Sequence, residues 1–276
     1  MRAEPRPAHG FTIAMSRELR ALLRSFLIWA GLTTAFVILM AALQPSMAGD
    51  GGLFGAKLKA MPPTLLKAIG ITILDFRRPA GYLATSFVYV ALVGALQAAL
   101  FGAVVLAREE ALRTAELLFV QPASRLSLLA GKATAALVYV IGFHVLLTVA
   151  TVATFAVVTD VPLELDLLLS LYGGSAGLAL CFLGLGMLAA SLVPDARRAS
   201  GGALGVVLGT FLLSTLSVIS PQAEKLGWLS PFKLFDAGRT VLEGGLSFGR
   251  VALLLAIGAA AAVAAALRFC RKDIRA

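Results

Sequence analysis

The chain has 276 residues, 59% of them hydrophobic and 14% charged, with a formal net charge of +9. An ordinary soluble domain carries roughly 25% charged residues, so this composition argues against a soluble enzyme and sends the apolar residues into a bilayer. Two cysteines, Cys181 and Cys270, make no disulfide framework, and the basic residues flank apolar runs, which points to a membrane surface rather than to nucleic acid.

In chain order the first element is an amphipathic helix over about 11–25. Phe11, Met15, Leu19, Leu22, Leu23 and Phe26 recur at three- and four-residue spacing, while Arg17, Arg20 and Arg24 fall largely elsewhere. Such a helix suits the bilayer interface, with its arginines on lipid phosphates. A plain N-terminal extension of the first span is the alternative.

Crossing a bilayer as a helix takes about 20 apolar residues. Six runs approach or exceed that length: about 26–43, 82–106, 133–158, 167–193, 199–219 and 250–267. They are rich in Leu, Ala and Val without strand-like alternation, so the fold class is all-α, a polytopic membrane protein with six transmembrane helices. The first run is longer than a signal-peptide core and follows an extended arm, so it reads as a retained span. The gaps 44–81 and 220–249 are too short for an independent core, which makes residues 1–276 a single transmembrane domain. The apolar segment 226–235 either dips into the outer leaflet or is a plain external loop.

Basic residues set the orientation. The N-terminal arm, the loops 107–132 and 194–198 and the C-terminal tail hold fifteen Lys and Arg; the opposite side holds nine. Among the short loops, Asp195-Ala-Arg-Arg198 is basic, whereas Thr159–Asp166 carries acids and no base. Both termini are therefore expected on the cytoplasmic side.

Within the spans the chemistry is that of packing. Gly201, Gly205 and Gly209 recur every fourth residue, a face that lets helices approach closely, and Gly173, Gly174, Gly177, Gly184 and Gly186 thin one side of the fourth span. The polar groups inside the spans with any potential chemistry are Gln97 and His144, and both are expected to serve packing. An ion-coupled carrier would keep charges there. No His-Glu-x-x-His, Cys-x-x-Cys or Gly-x-Ser-x-Gly pattern occurs, so no catalytic, cofactor or metal site is expected. Gly131-Lys132 lacks the remainder of a phosphate-binding loop, so ATP is not bound by that route and whatever energy the chain uses must come from elsewhere.

The densest mixed-charge segment, 108–132, lies between the second and third spans. Glu109 and Arg113 are four residues apart and can pair on a helix surface. Leu117, Leu118 and Val120 add an apolar side, Pro122 ends the helix, and Ser124 can cap the next one. Charge around a small apolar patch suits a soluble partner; a helical hairpin on the lipid surface is the alternative.

These residues resemble a known pattern. Glu110, Thr114, Glu116-Leu-Leu118, Pro122-Ala-Ser-Arg125 and Gly131-Lys132 are similar to the loop between spans two and three of type-2, export-class ABC transporter permeases. Leu229-Ser-Pro-Phe-Lys233 with Phe235-Asp236 resembles that family's loop between spans five and six. Phe269-Cys-Arg-Lys-Asp-Ile274 is similar to its C-terminal ending, and Met61-Pro-Pro63 with Gly81-Tyr82 resembles the first external loop of some members. The chain departs from the pattern at Arg113, where glycine is often found.

The resemblance implies a permease of a prokaryotic inner membrane, paired with itself or with a second permease. It also implies a cytoplasmic coupling helix that contacts a separate ATP-binding-cassette ATPase, which would hold the ATP and Mg. The contact residues it implies are Glu109, Glu110, Arg113, Glu116, Leu117 and Arg125. A membrane scaffold or assembly subunit, or an ion-coupled carrier, is the competing function.

Overall fold

The computed structural model describes residues 7–48, 57, 60–68, 78–111, 125–158, 160–193 and 195–271. The helices are α1 (Pro7–Ala48), α2 (Pro63–Ala68), α3 (Pro79–Ala111), α4 (Arg125–Val158), α5 (Leu165–Leu192), α6 (Ala196–Ile219), α7 (Ala237–Leu242) and α8 (Phe248–Arg271). Three short 3-10 turns, Pro221–Ala223, Lys225–Leu229 and Pro231–Lys233, join α6 to α7. Six of the helices, α1, α3, α4, α5, α6 and α8, are long and apolar enough to cross a membrane. No strand occurs among the described residues. The chain is an all-α polytopic membrane protein.

Helix α5 is the hub. It lies between α3 and α8, and all three run in the same direction: Phe87 meets Tyr172, Ala99 meets Gly186, and Gly184 meets Gly258. Helices α1 and α4 form a second parallel pair, in register from Gly131 beside Phe11 to Tyr139 beside Phe26. The two groups meet antiparallel through α3 and α4, where Gly94 faces His144 and Phe101 faces Tyr139. We call the end of the bundle where α1 begins the near end, and the opposite one the far end.

Small residues make these contacts possible. Lipid tails are as apolar as leucine, so helices in a bilayer associate through close packing rather than water exclusion. On α3 the buried positions include Ala84, Ala91, Ala95, Ala98, Ala99 and Ala103. A Cβ on Gly184 would strike the Gly258 carbonyl oxygen, and one on Gly186 would strike that of Ala99. A Cβ on Gly102 would come within 2.9 Å of the Met187 amide nitrogen. At these positions main chain lies against main chain.

Two expectations change. The interfacial helix expected over about 11–25 is not a separate element, because Pro7–Ala48 is one helix of 42 residues. Its buried positions, Gly10, Ala14, Glu18, Leu22, Ala30, Thr33, Val37, Ala41 and Gln44, fall at spacings that keep one stripe along its length. That stripe packs chiefly on α4, so the amphipathic pattern serves a helix–helix contact. Arg17, Arg20 and Arg24 remain exposed on other faces.

The second concerns Gly201, Gly205 and Gly209, which have open space around them. Helix α6 turns Ala199, Ala203 and Val207 inward instead. Two residues along a helix is a rotation of about 200°, which carries the glycine face to the outside.

Gly184→Val should therefore cost about 1–3 kcal/mol or more by overpacking, and Gly205→Val should leave the protomer within about 0.5 kcal/mol of wild type. Thermal unfolding of both variants in detergent measures the contrast, and equal losses would contradict the assigned faces.

Candidate functional site

Two regions concentrate polar or irregular structure. The first is the near end, where α3 stops at Ala111 and α4 starts at Arg125. Glu109 and Glu110 lie in the last turn of α3, and Arg125 opens α4. Arg113, Glu116 and Leu117 lie outside the described residues. Three of the six expected contact positions are thus carried on the two helices that flank the segment.

Those helices are long. At about 1.5 Å per residue, α1, α3 and α4 extend about 63, 50 and 51 Å, well beyond the roughly 30 Å of a hydrocarbon core. Their near ends are tied together. The buried Lys132 ammonium donates to the Val105 carbonyl of α3 at 3.3 Å. The Tyr139 hydroxyl donates to the Leu19 carbonyl of α1 at 2.6 Å. Exposed Arg197, Arg198 and Arg268 add positive charge at the same end.

The second region is the connection from α6 to α8. Ser230 is buried and its hydroxyl donates to the Thr210 carbonyl at 2.7 Å. Thr210 lies nine residues before the end of α6 at Ile219, a depth of about 14 Å. The chain therefore folds back beside α6 at that depth from its far end. Ser230 also accepts from the Phe232 amide at 3.2 Å, so one hydroxyl caps the turn and anchors it. Phe232 packs on Phe182 and Phe211, and Phe235 lies against Gly174 and Phe87.

The return is equally well defined. Asp236 caps α7 by accepting from the Arg239 amide at 3.0 Å. Helix α7 ends in a Schellman motif, with Gly245 N–H on the Thr240 carbonyl and Gly244 N–H on the Val241 carbonyl. Gly244 adopts φ +75°, a left-handed conformation that glycine tolerates without strain. Ser230, Phe232, Phe235 and Asp236 thus each have a structural task.

Glu243 accepts from Arg239 at 2.6 Å and pairs with Arg250 at 3.3 Å. The hydrogen bonds from Arg239 and then Arg250 hold its carboxyl below the usual carboxylate range. A second far-end ion pair, Arg78 to Glu164 at 2.6 Å, links the start of α3 to the turn before α5.

Several polar groups lie inside the bundle. His144 Nδ1 lies 2.8 Å from the Val140 carbonyl, which requires the proton on Nδ1, and Nε2 lies 3.2 Å from the Ser175 hydroxyl. Thr151 and Tyr172 share a hydrogen bond of 2.6 Å one step farther along the same interface. Gln97 is fully buried, and among the described residues neither of its amide atoms has a hydrogen-bond partner. Among the described residues no three of His, Cys, Asp and Glu come together in a metal-binding arrangement.

Sequence reasoning missed Lys132 and Tyr139 as helix ties, and Gly102, Gly131 and Gly258 as contact points. The signal for Lys132 was present, a lone charge at the edge of an apolar run. Nothing in the sequence marks which glycine meets which helix.

Six apolar helices, a turn folded back beside α6 at one end and long helices converging at the other define a multi-pass membrane protein. The chain matches the ABC-2 family transporter protein profile over residues 12–274. It belongs to that family, whose permeases work with an ATP-binding-cassette ATPase. No curated protein matches it.

Two measurements follow. Gln97→Leu should raise stability by about 1–3 kcal/mol, because it removes unpaired buried donors and acceptors; a lowered unfolding midpoint would reveal a missing partner. The Glu243 contribution should be present above the ordinary glutamate range and fade as pH falls through the depressed folded value. The wild-type advantage over Glu243→Gln in thermal unfolding should accordingly shrink on acidification from neutral pH.

Proposed function

We propose that this chain is the permease subunit of an ATP-driven exporter in a prokaryotic inner membrane. Its near end is cytoplasmic, both termini included, and a separate ATPase docks there through the segment 108–125. The observation that carries this reading is the convergence of α1, α3 and α4 at the near end, where α3 ends at Ala111 and α4 begins at Arg125. Glu109, Glu110, Arg113, Glu116, Leu117 and Arg125 form the contact. The chain is itself no enzyme: ATP and Mg sit on the partner, and no cofactor or metal is held here.

Two permeases pair across the outward Gly201, Gly205 and Gly209 face of α6, where a neighbouring backbone can come close. Both a second copy of this chain and a different permease fit that face. The re-entrant turn around Ser230 narrows the far-end exit. The spans contain little buried charge, which suits hydrophobic or amphipathic cargo better than free ions.

The test is affinity purification from native membranes in mild detergent, with mass spectrometry of the bound proteins. A stoichiometric ATP-binding-cassette subunit is expected, and Glu116→Arg should reduce its recovery at least tenfold. An intact chain that repeatedly brings no ATPase would overturn the reading in favour of a scaffold. Gly205→Leu should lower the permease dimer fraction in multi-angle scattering and leave ATPase recovery intact.

A further inference from the structure

In sequence, Gly131-Lys132 is the tail of a family-like pattern and an incomplete phosphate loop. In the fold the pair lies where three helices meet. A Cβ on Gly131 would strike the Phe11 carbonyl oxygen and come within 3.1 Å of the Met15 amide nitrogen. Position 131 is therefore where the α4 backbone approaches that of α1. The next residue reaches the other way, with the Lys132 ammonium on the Val105 carbonyl of α3.

Two turns farther along α4 the arrangement recurs. The Tyr139 hydroxyl donates to the Leu19 carbonyl of α1, and its ring lies 4.7 Å from that of Phe26. The same ring meets Phe101 of α3 at 6.2 Å. One helix thus holds both neighbours at two levels.

The bonds from Lys132 to Val105 and from Tyr139 to Leu19 both end on main-chain carbonyls. A side-chain acceptor can rotate out of reach, whereas a helical carbonyl moves only with its helix. Its second lone pair accepts such a bond without breaking the helical one. A buried lysine is also a costly way to fill space, since an apolar side chain of similar length would pack there without desolvating a charge.

We propose that Gly131, Lys132 and Tyr139 form a joint that makes the near ends of α1, α3 and α4 move as one body. A displacement applied to residues joining α3 to α4 is then delivered to α1 and, along its 42 residues, to the far end. Lys132 and Tyr139 are positioning residues in this scheme. The inference rests on the reading above, in which an ATPase docks on that segment.

The experiment uses the full chain in complex with its ATPase, in lipid nanodiscs. Cys181→Ala and Cys270→Ser remove the native thiols. Leu43→Cys on α1 and Leu169→Cys on α5, both exposed at the far end, receive spin labels, and labelled chains are diluted into unlabelled ones. Pulsed electron–electron distances are recorded without nucleotide and with ATP and vanadate.

The nucleotide should shift the α1-to-α5 distance in the wild-type background. Lys132→Met should abolish the shift while ATPase recovery and basal hydrolysis stay within twofold. Lys132→Arg, which can still donate to Val105, should restore it. A shift that persists in Lys132→Met, or a wild type that shows none, overturns the joint. Should Lys132→Met fail to assemble, Tyr139→Phe removes only one hydroxyl, and an undiminished shift there overturns it as well. Absence of any ATPase from the wild-type complex brings down the docking reading itself.

Discussion

Backbone-to-backbone contact along α5 is the constraint on which this structure depends. In a bilayer no water is gained by joining helices, so association rests on dispersion and on the few polar bonds that cross between them. Dispersion falls steeply with distance, and a glycine that removes one Cβ from a contact brings two entire helical surfaces closer. Gly184 against Gly258 sets α8 on α5, and Gly186 against Ala99 sets α3 there. A larger residue at either position would push a helix away along much of its length.

With that hub fixed, the two ends are free to differ. At the far end the chain between α6 and α8 folds back inside, at a depth set by Ser230 on the Thr210 carbonyl. Its aromatic residues need room, and Gly174 supplies it for Phe235. At the near end α1, α3 and α4 continue past the length a bilayer requires, and their ties run to main chain. The two ends are thus built differently, and the hub lies between them.

The contrast between the two glycine series is instructive. Gly184, Gly186 and Gly258 are consumed within the chain, whereas Gly201, Gly205 and Gly209 face outward with no described residue against them. In sequence the second series is the more regular and looks like the better packing face. Regular spacing shows only that a face exists; which way it points depends on the residues half a turn away, here Ala199, Ala203 and Val207.

The sequence by itself determined the six spans and the all-α class, because the length and apolarity needed to cross a bilayer are local properties. The family-like motifs around 108–132 and 229–236 were equally legible, since each is a short run of residues. The merging of 11–25 into one helix with the first span was not, because an amphipathic stripe fits a lipid surface and a neighbouring helix equally well. Only the tertiary structure decided which glycines touch, that Lys132 reaches Val105, and that Ser230 lies beside Thr210. Those are relations between residues 20 to 120 positions apart, and hydropathy carries no information about which helix a residue will meet.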